Sequence, residues 1–154
     1  MMMKTARQSL ILPMPAEELI PHRLPMRLVD TLLAAQDDAG IVTALVAADG
    51  PLTGQDGRLE GVGLVEMLAQ AYAALQGYQD RQRGVPIRRG FLVGVRGMRL
   101  QGEALAGDRL EIRVRTLAQL DGFALAEGEV WRGAERLAAG SLKLWISPDP
   151  AEAA

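Results

Sequence analysis

The stretch from Val62 to Gln79 constrains this chain most, because it reads as one helix with apolar residues on nearly every face. Val62, Leu64, Val65, Met67, Leu68, Ala69, Ala71, Tyr72, Ala73, Ala74 and Leu75 leave almost no polar side to turn toward water. A helix apolar all round is surrounded by protein. Its many alanines let neighbouring elements approach the axis closely. Whatever else the chain forms must wrap this segment.

The flanking sequence supplies strands for that purpose. Arg27 to Leu33 and Ile41 to Ala48 read as a hairpin about a turn at Asp37-Asp38-Ala39-Gly40. Asp49 to Glu60 is a polar loop. Arg81 to Arg89 is a charged connection with Gly84 and Pro86, after which the period switches to two. Arg109 to Leu117 alternates cleanly, with Leu110, Ile112, Val114 and Thr116 on one face. Phe91 to Leu100, Phe123 to Trp131 and Leu137 to Ile146 also read as strands, joined by Ala106-Gly107-Asp108, Asp121-Gly122 and Arg132-Gly133 turns. Residues 1–30 are broken by Pro13, Pro15, Pro21 and Pro25 and hold at most a helical turn around Ala16 to Leu19. The expectation is an α+β fold, a long central helix wrapped by an antiparallel sheet of about five to six strands. Residues 19–147 form that single domain, between an irregular segment 1–18 and a tail 148–154.

Composition excludes several function classes. A net charge of −2 over 154 residues leaves no basic footprint for nucleic acid. There is no cysteine, hence no disulfide, thiolate metal site or cysteine nucleophile. The single histidine, His22, would have to serve any Ser-His-Asp triad or zinc site. Gly54, Gly57 and Gly61 match no nucleotide-binding spacing. The apolar run Leu10-Ile11-Leu12 stops at Pro13, too short for a signal peptide or a membrane span, so a cytoplasmic protein is expected.

Glu66 is the leading candidate for chemistry. It is the only carboxylate or cation between Glu60 and Asp80, in an otherwise apolar helix. Burying a carboxylate is expensive unless it is paired or protonated, the setting in which general acids and bases are found. Alternatively, it simply occupies the first helical turn, where free amides favour an anion. Gln70, one turn later on the same face, either orients the carboxylate, bonds substrate, or satisfies backbone groups. His22 lies between Pro21 and Pro25 in what reads as a fixed turn; acid–base work requires a carboxylate facing it.

Four segments in order resemble the hotdog-fold 3-hydroxyacyl-acyl carrier protein dehydratases. Leu19-Ile20-Pro21-His22-Arg23-Leu24-Pro25-Met26-Arg27-Leu28-Val29-Asp30 is similar to the family's Pro-His-Arg-x-Pro-(Phe/Met)-x-Leu-(Val/Leu)-Asp opening. Gly63 to Ala71 resembles its helix motif, in which an acidic residue precedes Met/Leu-Ala-Gln-Ala. Gly90-Phe91-Leu92-Val93-Gly94-Val95 resembles the strand after the helix, and Ala106-Gly107-Asp108-Arg109-Leu110 the Pro-Gly-Asp-x-Leu turn. The opening and Gly-Phe-Leu-x-Gly-x-Arg are closer still to a dehydratase-like subgroup encoded with aryl-polyene pigment synthesis.

The resemblance implies an acyl carrier protein substrate, a partner hotdog chain or a homodimer, and no cofactor beyond the carrier's phosphopantetheine. It casts Glu66 as the catalytic acid and Phe91, Leu92, Val93 and Gly94 as the tunnel-lining strand. The cluster Arg88, Arg89, Arg96 and Arg99 offers an acidic carrier protein a docking patch, or is an ordinary solvated face. One departure stands out. The family's Gly-His-Phe-Pro-Gly loop, whose histidine transfers the proton, is replaced by Thr53-Gly54-Gln55-Asp56-Gly57-Arg58, with Gln55 the best match to the lost histidine. A hotdog thioesterase and a non-catalytic carrier-binding subunit are the alternatives.

Overall fold

Seven antiparallel strands curl around the one long helix, in the spatial order β1-β2-β3-β5-β6-β7-β4. The computed structural model describes residues 10–150. Strands β1 (Met14–Pro15), β2 (Thr31–Gln36) and β3 (Ala39–Leu45) precede helix α1 (Gly61–Gln82). After it come β4 (Arg88–Leu100), β5 (Arg109–Leu120), β6 (Phe123–Arg132) and β7 (Glu135–Pro150). The count of seven exceeds the expected five to six because Met14–Pro15 pairs with Thr31 and Leu32. Two residues carry no periodicity, so the sequence holds no signal for that strand. A 3-10 turn at Ala16–Glu18 follows it.

The period-two pattern does what it implies. Leu110, Ile112 and Val114 of β5 are buried under α1, while Arg109, Arg113 and Arg115 face out. Ala124, Ala126 and Val130 of β6 and Ala138, Leu142 and Leu144 of β7 continue the inner layer. Small residues set the helix–sheet distance. A Cβ on Gly128 would stand 2.6 Å from Leu68 Cδ2, and one on Gly77 would stand 2.8 Å from the Leu19 carbonyl carbon. The helix therefore lies directly on β6 and on the segment that leads to His22.

Two features leave the chain incompletely closed. β4 ends the sheet, pairing with β7 alone, and its three register shifts fall at Arg88/Gly90, Leu92/Gly94 and Arg96/Arg99. Phe91, Leu92, Val93, Val95 and Leu100 on it remain exposed. On α1, Val62 is 57% exposed and Val65, Ala69 and Ala73 are only partly covered. The helix is thus enclosed on most faces but bare on one stripe, next to the open strand. A long, apolar, unpaired edge invites another chain.

Candidate functional site

The first and second family-like motifs meet through one amide. Gln70, 1% exposed, accepts the Leu28 backbone N–H at 2.7 Å. Its Nε2 donates to the Met26 carbonyl at 2.9 Å and to Glu66 Oε1 at 2.9 Å. Both donors are spent inside the protein, so Gln70 positions the Pro-His-Arg segment against the helix and aims the Glu66 carboxylate. The four-residue spacing of Glu66 and Gln70 makes this possible, since it stacks them on one helix face.

That clamp brings His22 alongside. Its Nε2 lies 3.9 Å from Glu66 Oε1, longer than a hydrogen bond. Burial lowers the His22 pKa from 6.5; Glu66 opposes the shift, while Arg23 and Arg89 add to it. The imidazole is therefore mainly neutral at pH 7. Its buried Nδ1 has no hydrogen-bond partner among the described residues. The Glu66 side chain is 37% exposed, so the carboxylate sits at a mouth rather than sealed in the core.

Behind the pair runs a cavity of about 190 Å³ lined by His22, Glu66 and Gln70 at one end. Ala69 and Ala73 of α1, Gly90, Phe91 and Leu92 of β4, and Leu144 and Ile146 of β7 form its walls. Tyr72, Gln76, Asp80 and Arg88 line it further along. The Tyr72 hydroxyl pairs with Thr116 Oγ1 at 2.9 Å and accepts from Gln76 at 2.8 Å; burial raises its pKa above 10.0. A separate groove of about 820 Å³ crosses the outer face of the sheet, among Arg99, Arg113, Arg136 and Glu129. It is larger, but its charged side chains are mostly tied in ion pairs, as Arg136 is to Glu129 and Arg113 to Glu111. It is also remote from Glu66.

Some sequence candidates join this cavity and others do not. Phe91 stacks on Trp145 with ring centroids 5.9 Å apart, and Leu92 faces Leu144 across the ladder. Val93 sits at a bulge, 52% exposed. A Cβ on Gly94 would make only an ordinary 3.6 Å contact with Lys143, so nothing within the chain demands glycine there. Gln55 occupies an exposed turn of the loop and is not among the cavity residues. Arg88 points inward onto Asp80, with Nη2 2.8 Å from Oδ1, whereas Arg89, Arg96 and Arg99 are exposed. Asp80 was not singled out by the sequence, where it looks like an ordinary polar helix end.

The remaining motif residues are structural. Asp30 accepts the Leu45 N–H at 2.7 Å. Asp108 accepts the Leu105 N–H at 2.8 Å and pairs with Arg132 at 2.7 Å. Among the described residues no group of three or more His, Asp or Glu side chains could hold a metal. No described helix is long and apolar enough to cross a membrane.

A curled antiparallel sheet wrapped on one long helix is the hotdog fold, and here a helix carboxylate stands at the mouth of a cavity beside an open strand. The chain is 32% identical over 126 residues to the 3-hydroxyacyl-[acyl-carrier-protein] dehydratase FabZ of Bordetella pertussis, covering 72% of this chain and 83% of that protein. The solved dehydratase heterocomplex ApeI:P from Xenorhabdus doucetiae superposes with a TM-score of 0.82 at 29% identity, covering 88% of this chain and 93% of that one. A hypothetical thioesterase from Streptococcus pneumoniae, solved with coenzyme A, shares the fold alone, at a TM-score of 0.61 and 11% identity over 78% of this chain and 87% of that one. The family model described as ApeP dehydratase matches residues 14–154. The chain belongs to this ApeP-like family.

Proposed function

We propose that this chain is the Glu66-bearing subunit of a dehydratase for 3-hydroxyacyl thioesters of an acyl carrier protein. A second hotdog chain supplies the histidine that its own loop lacks. The observation that carries this conclusion is the Glu66 carboxylate, held by Gln70 at the mouth of a cavity whose walls include Ala69, Ala73, Phe91, Leu92, Leu144 and Ile146. The β4 edge and the bare helix stripe beside it offer the partner its seat.

Dehydration removes a proton from C2 and protonates the hydroxyl leaving C3, so two proton-transfer groups are needed. Glu66 supplies one. Gln55 cannot supply the other, because an amide does not accept a proton near neutral pH. The acyl chain lies against Phe91 and Leu92, and the exposed Arg89 and Arg96 steer the acidic carrier to the mouth. The solved relative is a heterocomplex, which supports a second chain here.

The His22–Glu66 approach favours one other arrangement, in which both groups come from this chain. Turnover of 3-hydroxyacyl carrier protein to the enoyl product separates the two. The chain alone is expected to be nearly inactive, and addition of a related hotdog subunit carrying the loop histidine restores activity. Full activity alone, lost in His22→Ala, overturns the two-chain site. Release of free acid in place of enoyl product identifies a thioesterase instead.

A further inference from the structure

Charge, rather than apolar bulk, closes the far end of the Glu66 cavity. Glu66, Gln70, Ala73, Gln76 and Asp80 all line it. Their spacing of four, three, three and four residues keeps them on one stripe of α1. The cavity therefore runs along the helix, from Glu66 at its mouth to Asp80 about 21 Å on at 1.5 Å per residue.

Asp80 is 1% exposed and yet fully compensated. It accepts from Arg88 Nε at 3.2 Å and Nη2 at 2.8 Å, from the Arg88 backbone N–H at 3.3 Å, and from Arg83 Nη2 at 2.6 Å. Loosening such a pair leaves an uncompensated buried carboxylate, so the wall resists displacement. Arg88, Gln76 and Ile146 are shared with a second cavity of about 250 Å³. Arg88 thus forms a common wall of the two spaces, and it is anchored from within.

We propose that the Arg88–Asp80 pair is the end stop of the acyl site and sets the longest acyl chain the protein accepts. This rests on the cavity being the acyl site. Up to the stop, each methylene buried tightens binding roughly fourfold. A longer chain meets a buried ion pair that it cannot displace without leaving the Asp80 carboxylate uncompensated, so the gain ceases there. Removing the guanidinium joins the two cavities and moves the limit outward.

The test is calorimetric binding of a ladder of 3-hydroxyacyl pantetheine analogues, with an amide in place of the thioester, to the protein in its native assembly. The wild type should gain roughly fourfold per methylene and then break at one length. Arg88→Ala should move that break to longer chains. Arg88→Ala also weakens the Asp80 site, so a second variant acts without touching the pair. Ala73→Leu, midway along the stripe, should move the break to shorter chains. A break that Arg88→Ala leaves in place overturns the end stop, and a break that Ala73→Leu leaves in place shows that the acyl chain does not run along this stripe. Wild-type affinity that ignores chain length altogether overturns the acyl-site reading itself, which keeps the two failures apart.

Discussion

Replacing Gly77 by alanine should destabilise this protein and disturb its site together, and the sign of the first effect is the informative part. In an exposed helix interior the change stabilises, since alanine is favoured over glycine by about 1 kcal/mol. Here the new methyl would stand 2.8 Å from the Leu19 carbonyl carbon and closer still to its oxygen. Both atoms are backbone and cannot rotate away. Leu19 is fully buried and its N–H is tied to the Ala16 carbonyl at 2.8 Å. Overpacking of this kind typically costs ~1–3 kcal/mol, toward the upper end where backbone must move. The net is a loss of ~1–2 kcal/mol, or about 2–8 °C in Tm for a domain of this size. Relief requires the Leu19 segment to shift, and Pro21 and His22 shift with it. Calorimetric melting at fixed protein concentration and urea unfolding read the first effect. Turnover in the assembled complex reads the second. A Gly77→Ala variant as stable as wild type, or more so, would refute the packing argument.

Three further outcomes follow from the site and its supports. His22 is the only histidine, so one imidazole resonance reports its titration: the midpoint should lie below 6.5 and fall further in Glu66→Gln, which removes the carboxylate that raises it. Because the folded pKa is the lower one, stability is full above pH 6.5 and declines as pH falls toward the folded value; a midpoint above 6.5 contradicts the burial argument. Gln70→Leu strands the Leu28 N–H at a cost of ~1–3 kcal/mol by urea unfolding and frees Glu66 to turn away, so kcat should fall more than KM rises. Asp108 has its pKa lowered from 3.8, first by the Leu105 N–H and then by Arg132; its contribution is present above 3.8 and lost as pH drops through the folded value. In Asp108→Asn the stability difference between pH 6 and pH 3 should therefore shrink, and an unchanged difference would count against that role.

The sequence made the helix, the β5–β7 meander and Glu66 legible for one physical reason. Buried segments write their environment as periodicity, and a lone carboxylate in apolar surroundings is conspicuous. Expected Val62–Gln79 became Gly61–Gln82 because the last turn, Asp80 to Gln82, is polar and gives no apolar cue. The first hairpin strand, expected over Arg27 to Leu33, begins at Thr31 instead. Residues 26 to 28 are held by the Gln70 amide rather than by a ladder, a contact 42 to 44 residues distant. Sequence spacing cannot report a tertiary clamp of that reach, nor the approach of His22 to Glu66 that it produces. Asp80 was hidden similarly, since it suits a solvated helix end and only packing shows its carboxylate buried; Arg88 reads in sequence as part of an exposed basic cluster, whereas it turns inward onto Asp80. The residues 1–9 and 151–154 of the expected terminal segments lie outside the described residues.

The role of Glu66 is tested most directly by the rate of enoyl formation in the assembled two-chain complex, compared between wild type and Glu66→Gln. Glutamine keeps the size and the hydrogen bonding to Gln70 but cannot transfer a proton. With assembly and acyl binding verified as intact, the substitution should lower kcat by about 10²–10⁴-fold, the usual cost of losing a general acid–base group. A rate within a few-fold of wild type would mean that the proton moves through another residue, and that Glu66 only lines the cavity.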